Sequence, residues 1–144
     1  MRRTEPTFEL FEHTADLGVR VVAPTLAGLV GPAVAGLYAT IGELRADATA
    51  PVEPWRLALR GDEPALMLRD LLSELLSRFE RDAAIATDVV VERFELDELA
   101  CRAVLRPIDA EASDLCREVK AVTYHELEIR ALADGFEATF IVDI

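Results

Sequence analysis

Alternating apolar and polar residues predict strands at both ends of the chain. Residues 7–12 and 17–23 are rich in Phe, Leu and Val, and they predict two strands separated by a short polar segment. At the other end, residues 136–144 predict a last strand, which follows a hairpin turn at Asp134-Gly135. The sequence therefore predicts β-structure at both the beginning and the end of the chain.

Apolar residues at helical spacing predict two helices. Thr25 is a candidate N-cap for the first, which continues to Ile41, and Pro32 predicts a kink or break in it. Asp62 is a candidate cap for the second, with Pro64 in its first turn. The predicted buried face of the second helix consists of Ala65, Leu68, Leu71, Leu72, Leu75, Leu76 and Phe79.

The middle of the chain predicts further strands, at residues 55–60, 86–96, 99–107 and 119–131, with polar loops at 43–53 and 108–117. No internal repeat, low-complexity segment or linker divides the sequence. The pattern favours one α+β domain over residues 1–144, with two helices packed on one face of a mostly antiparallel sheet.

Composition narrows the functional classes. The net charge is −12, with 15 basic and 27 acidic residues, and no basic stripe is visible, so we expect no tight binding of nucleic acid by the protein alone. Neither a membrane span nor a signal peptide is apparent, and the two cysteines suggest free thiols. These features favour a cytoplasmic protein that does not bind membranes.

The polar segment EHTADLG, residues 12–18, is the first candidate site. Its Asp16 could meet Asp143 and the terminal carboxylate of Ile144 if the two chain ends lie side by side. Converging carboxylates repel each other unless a cation lies between them, and oxygen-only ligands favour Ca²⁺ or Mg²⁺ over Zn²⁺. The alternatives are a turn or capping role for Asp16 and a solvated strand end at Asp143.

The chain has only two histidines, His13 and His125, which with Cys101 and Cys116 could in principle bind zinc. Their spacing matches no familiar zinc pattern, so this hypothesis is weak. The sequence also shows no phosphate-binding glycine loop and no nucleophile signature.

Three further candidate residues lie in the predicted strand 119–131. Its alternation places His125 on the apolar face, which favours a core or interface histidine, and Lys120 and Tyr124 on the opposite face. Lys120 and Tyr124 could therefore line a polar surface, although a solvated strand face is the simpler alternative.

Several blocks in order resemble the archease family: FEHTADLGVRV, the leucine-rich DEPALMLRDLLSELLSRFE, EVKAVTYHELEI and the terminal VDI. The resemblance implies a small acidic protein that is not itself an enzyme. It implies a partner, the GTP-dependent RNA ligase of tRNA splicing or RNA repair, whose guanylylation and multiple turnover the protein would promote. It also implies a divalent metal, typically calcium, on Asp16, Asp143 and Ile144, and a functional surface that includes Lys120. We place His13, Tyr124 and His125 on the same candidate surface.

Two competing functions remain open at this point. One is a general protein chaperone or modulator, and the other is a metal-dependent hydrolase. A chaperone should suppress aggregation of unrelated clients, and a hydrolase should turn over a substrate without a partner.

Overall fold

A computed structural model describes residues 5–13 and 16–144, with only the backbone of His13. The strands are β1 Thr7–His13, β2 Asp16–Ala23, β3 Gly42–Glu43, β4 Glu53–Arg60, β5 Ala84–Phe94, β6 Glu98–Pro107, β7 Asp114–Leu115, β8 Ala121–Val122, β9 Glu128–Leu132 and β10 Gly135–Asp143. The helices are α1 Val30–Ile41 and α2 Pro64–Asp82, and a 3-10 turn at Ala27–Leu29 precedes α1.

Two antiparallel sheets carry the fold. The larger has five strands in the order β1-β2-β10-β8, with β9 also paired to β10, and the smaller has three in the order β4-β6-β5. Helix α1 contacts β1, β2 and β5, and α2 contacts strands of both sheets, so the helices and sheets share one core. This arrangement confirms the predicted α+β class with a mostly antiparallel sheet.

Helix α2 buries all five leucines of its predicted apolar face, whereas Ala65 and Phe79 of that face are only partly buried. Its buried residues are Met67, Leu68, Leu71, Leu72, Leu75 and Leu76. The prediction that Asp62 caps this helix is wrong, because the N-cap is Glu63, which makes no side-chain capping bond, and Pro64 opens the first turn. Among the described residues, no helix is long and apolar enough to span a membrane.

Helix α1 begins later than the sequence predicted. Thr25 does accept a hydrogen bond on Oγ1 from the Gly28 amide at 2.9 Å, but Thr25 precedes the 3-10 turn, whose N-cap is Leu26, and does not cap the α-helix. The predicted break at Pro32 is also wrong, because the α-helix starts at Val30 and Pro32 falls in its first turn. Amides there have no partner within the helix, so proline costs no hydrogen bond.

The predicted long strand 119–131 is wrong. It consists of the two-residue strand β8 and the five-residue strand β9, separated by a turn. Glu126 adopts a left-handed backbone with φ 51°, and Thr123 Oγ1 accepts a hydrogen bond from the His125 amide at 3.2 Å. A threonine that bonds the backbone two residues on favours a turn, so local chemistry interrupts the apolar alternation.

The remaining strands confirm the prediction with shifted boundaries. β5 and β6, at the two strands predicted for 86–96 and 99–107, pair as a hairpin, although β5 contains two register shifts and a left-handed Asp88 with φ 54°. β9 and β10 form the hairpin predicted around Asp134-Gly135. The polar segments around 43–53 and 108–117 are connected through the short pairing of β3 with β7 and a bridge between Ala46 and Ile108.

Candidate carboxylate site at the joined chain ends

The N-terminal hairpin β1–β2 and the last strand β10, together called the joined chain ends, lie side by side in the larger sheet. β2 pairs antiparallel with both β1 and β10, and Asp16 is the register partner of Asp143. Directly opposite residues in an antiparallel pair have Cβ atoms about 4.5–5.5 Å apart. The structure therefore brings together the two aspartates that the sequence singled out, at the same end of the sheet as Ile144.

Both aspartates lie on the sheet face that points away from the helices. Their strand neighbours Leu17 and Val142 are buried in the core, and successive side chains alternate between faces. Asp16 and Asp143 are themselves partly buried. This placement agrees with the prediction that Asp143 points away from the apolar side.

An apolar pair of residues covers the next position along the same face. Gly18 is paired with Ile141, and the Phe11 ring lies so close over Gly18 that any Cβ there would overlap it. Ile141 is fully buried, although it is on the face without helices. One side of the aspartate pair is thereby bordered by packed apolar atoms rather than by water.

Lys120 lies beside the aspartate pair. Its amide donates a hydrogen bond to the Asp143 carbonyl at 2.7 Å, and the next residue, Ala121, pairs with Asp143 in β8. The Lys120 side chain is exposed. The structure thus places this predicted surface residue next to the predicted metal ligands, on a third segment of chain.

Tyr124 and His125 occupy the turn between β8 and β9. The Arg69 guanidinium stacks on the Tyr124 ring at 4.2 Å from its centroid, while Arg69 Nε donates to the Val122 carbonyl at 3.0 Å. His125 has a side chain that is 62% exposed and lies 4.0 Å from Glu126, so a core role for it is wrong. The side chain of His13, the other predicted surface residue, lies outside the described residues.

A groove of about 620 Å³ opens beside Lys120. Phe79, Leu115, Arg117 and Val119 are among the residues that line it. Leu115 is 60% exposed, and Arg117 donates to the Thr40 carbonyl at 2.7 Å, which holds this segment against α1. The groove was not predicted from the sequence, because its lining comes from a predicted helix, a predicted loop and a predicted strand that are far apart along the chain.

The donors at the chain ends fit a hard cation better than zinc. Asp16, Asp143 and the Ile144 carboxylate offer only oxygen, which suits Ca²⁺ or Mg²⁺. Within residues 5–13 and 16–144, no three His, Cys, Asp or Glu side chains form a metal-binding group. Cys101 is buried in β6, where burial raises the pKa of its thiol to about 11, and Cys116 is exposed elsewhere.

A second polar surface lies on the smaller sheet and was also missed. Its face away from the helices carries five of the fifteen basic residues: Arg56, Arg60, Arg93, Arg102 and Arg106. The sequence shows no basic stripe, but the folded chain has a basic face. The arginines are two or more residues apart on three strands, so only the strand register assembles them.

Comparison with known proteins decides the family. The model of the Archease protein family (MTH1598/TM1083) matches residues 8–144. The chain belongs to the archease family. Protein archease of Methanopyrus kandleri is 33% identical over 140 residues, covering 95% of this chain and 99% of that protein. Protein archease of Thermococcus kodakarensis is 31% identical over 144 residues, with 95% and 98% covered.

Solved structures agree with the archease fold. The solution structure of protein 1598 from Methanobacterium thermoautotrophicum superposes with a TM-score of 0.72 at 23% identity, covering 95% of this chain and 98% of that one. The crystal structure of a Thermotoga maritima archease, described as a possible chaperone, gives a TM-score of 0.67 at 20% identity, with 100% and 98% covered. At these identities the likeness concerns the fold alone.

Proposed function

We propose that this archease binds a divalent metal ion at its joined chain ends and activates a GTP-dependent RNA ligase. The ligase would gain faster guanylylation and multiple turnover in tRNA splicing or RNA repair, and the archease itself would catalyse no reaction. The observation that carries the proposal is the register pairing of Asp16 with Asp143, in a member of the archease family.

Asp16, Asp143 and Ile144 would hold the ion, which we expect to be Ca²⁺, with Mg²⁺ as the alternative. Like charges directly opposite each other in a sheet are destabilising, and a bound cation offsets that repulsion. The packed Phe11 ring excludes water from one side, which strengthens the attraction between carboxylate and cation. In the absence of a partner, the ion would fix the turn end of the β1–β2 hairpin against the C-terminal end of β10.

Lys120 and the groove beside it would form the surface that contacts the ligase. The groove joins apolar and basic side chains, as in Leu115 and Arg117, next to the carboxylate site. Tyr124 and His125, exposed in the following turn, would extend this surface. Since the net charge is −12, we expect contact with the ligase protein rather than tight binding of RNA, in a cytoplasmic setting.

The test is ligation by the host's GTP-dependent RNA ligase with the archease at a low molar ratio. We expect more product per ligase with the native protein and none of this gain with Asp16→Ala. Asp62→Ala is the matched control, because Asp62 is exposed ahead of α2 and far in sequence from the joined ends. Equal stimulation by Asp16→Ala, with an intact circular dichroism spectrum, would remove Asp16 from the mechanism.

The crystal structure described as a possible chaperone supplies a second candidate function. A chaperone would suppress thermal aggregation of an unrelated client protein, whereas a ligase activator would not. A metal-dependent hydrolase would release product without any ligase. Aggregation and hydrolysis assays on the same preparation therefore separate the three functions.

A further inference from the structure

We propose that the arginine face of the smaller sheet docks an acidic segment of a partner protein. The arginine face comprises the side chains of β4, β5 and β6 that point away from the helices, namely Arg56, Arg60, Arg93, Arg102 and Arg106 with the residues between them. It lies on a different sheet from the joined chain ends. The inference therefore does not depend on ligase activation or on a metal.

The strand register concentrates positive charge at the middle of this face. Arg102 lies on the central strand β6, and its register partners are Arg56 on β4 and Val90 on β5. Two arginines directly opposite each other repel, which makes the pair unfavourable without an anion. Such an arrangement in a protein of net charge −12 favours an anionic ligand.

Three of the guanidinium groups on this face make only long ion pairs within the fold, whereas Arg106 Nε donates a hydrogen bond to Thr87 Oγ1 at 3.2 Å. Arg56 and Arg60 have side chains 74% and 77% exposed, and their nearest acidic partners are 3.8 Å and 3.9 Å away. Arg93 is 58% exposed, with its partner 3.7 Å away. In the described part of the chain, no ion pair or hydrogen bond holds the Arg102 guanidinium. Elsewhere, by contrast, Arg78 binds both Glu53 oxygens at 2.8–2.9 Å.

The surface between the arginines can receive a side chain. A depression of about 550 Å³ is lined by residues that include Pro54, Arg56, Val90, Arg102 and Val104. Of its lining, the apolar side chains can contact the stem of a glutamate and the guanidinium groups can bind its carboxylate, although Asp88 also lines the depression. Arginine is also enriched in protein interfaces relative to the rest of the surface.

Three carboxylates on the same face indicate that its ligand is a protein and not a nucleic acid. Asp88, Glu92 and Glu98 lie 3.7–3.9 Å from arginines of the face. A polyphosphate backbone offers no cation to these acids and would be repelled by each of them. A protein segment rich in acids can present an occasional lysine or arginine there, so mixed charge favours a protein partner.

The experiment uses a peptide of nine glutamates and one central lysine as the probe in an amide-resolved NMR titration of the full chain, at low and moderate salt. We expect shifts confined to β4, β5 and β6, together with a change in the fluorescence of Trp55, the single tryptophan, which borders the depression. The double variant Arg56→Glu/Arg102→Glu should weaken binding at least about fivefold. Arg81→Glu, at an exposed arginine on α2, is the control for a single charge reversal outside the arginine face.

The experiment also tests the alternative ligands of the arginine face, each with its own measurement. Shifts that are absent, or that persist unchanged in the double variant while it remains folded by circular dichroism, would overturn the proposal. Tighter binding of a decauridylate RNA at the same residues would identify a polyphosphate surface instead. Sedimentation that shows a dimer abolished by Arg56→Glu/Arg102→Glu would identify a second copy of this chain as the occupant, and would equally overturn the proposal.

Discussion

The hydroxyl oxygen of Tyr38 accepts a hydrogen bond from the Ala86 amide at 2.8 Å, which ties α1 to the first residues of β5. Tyr38 is buried, and its pKa is raised to about 12, chiefly by burial and against the opposing effect of this hydrogen bond. The bond crosses from the helix that packs on the larger sheet to a strand of the smaller one. It is therefore a polar link between the two halves of the core.

Replacing Tyr38 with phenylalanine should destabilise the fold without changing its shape. The substitution keeps the ring but leaves the buried Ala86 amide without its acceptor, at a cost of about 1–3 kcal/mol. Urea unfolding followed by circular dichroism measures the free energy of unfolding. Tyr124→Phe is the control, because Tyr124 is 64% exposed and its ring contact with Arg69 survives. Equal stability of the two variants would show that the Tyr38 bond contributes nothing.

Alkaline pH should destabilise the protein through two buried groups. Burial raises the pKa of Cys101 from 9.0 to about 11 and that of Tyr38 from 10.0 to about 12. A raised pKa in the folded state means that the neutral form is stabilised by folding. Each contribution is complete below the pKa of the unfolded chain and is lost as pH rises through the folded pKa.

The free energy of unfolding should therefore fall from about pH 9 upward and continue to fall toward pH 12. Urea titrations at a series of pH values measure this slope. The double variant Cys101→Ala/Tyr38→Phe lacks both groups and should show a shallower decline than the native protein. Parallel curves for the two proteins would mean that other groups govern alkaline stability.

Gly18 is predicted to be required because the Phe11 ring occupies the space of any side chain there. Gly18→Ala should displace the ring, weaken its contact with the Arg20 guanidinium and uncover Ile141, at a cost of about 1–3 kcal/mol. The check is a double-mutant cycle with Phe11→Ala. In the Phe11→Ala background, Gly18→Ala should lower the free energy of unfolding far less than it does in the native protein. If the losses of the two single variants simply add in the double variant, the proposed overlap is contradicted.

The sequence predicted those parts of the fold in which one pattern runs without interruption. The leucine face of α2 and the alternation of β10 are examples, because burial on one side imposes the period directly. The strand predicted across Thr123 failed because a side-chain hydrogen bond and a left-handed Glu126 outweighed the apolar alternation. Periodicity measures burial and does not detect such local bonds.

The candidate sites also differ in how far the sequence could predict them. The meeting of Asp16 with Asp143 followed from placing two strands at the chain ends, so sequence could suggest it before the register confirmed the pairing. The pairing of Arg56 with Arg102 depends on β6 lying beside β4, which are separated along the chain by α2 and β5. A local sequence pattern cannot predict which distant strands pair or in which register. The arginine face and the groove beside Lys120 both depend on such long-range contacts.

The last prediction concerns the α-carboxylate of Ile144, the third proposed ligand. Ile144 follows β10 directly and is 39% exposed, and Asp143 is fixed in place by its pairing with Asp16 and Ala121. A residue added after Ile144 converts its carboxylate into an amide. One negative charge is lost from the proposed ligand set, and the added atoms must fit beside the ion. Because Ca²⁺ prefers charged oxygen ligands, affinity should fall.

Calorimetric Ca²⁺ titration of three forms measures this effect: the chain ending at Ile144, a form extended by glycine and serine after Ile144, and one extended before Met1. We expect weaker Ca²⁺ binding only in the C-terminally extended form, and an increase in thermal stability with Ca²⁺ that this form loses. The N-terminal extension is the matched control for added length. Equal affinities in all three forms would exclude the Ile144 carboxylate as a ligand and leave Asp16 and Asp143 as the proposed pair, whereas no binding in any form would contradict the metal site itself.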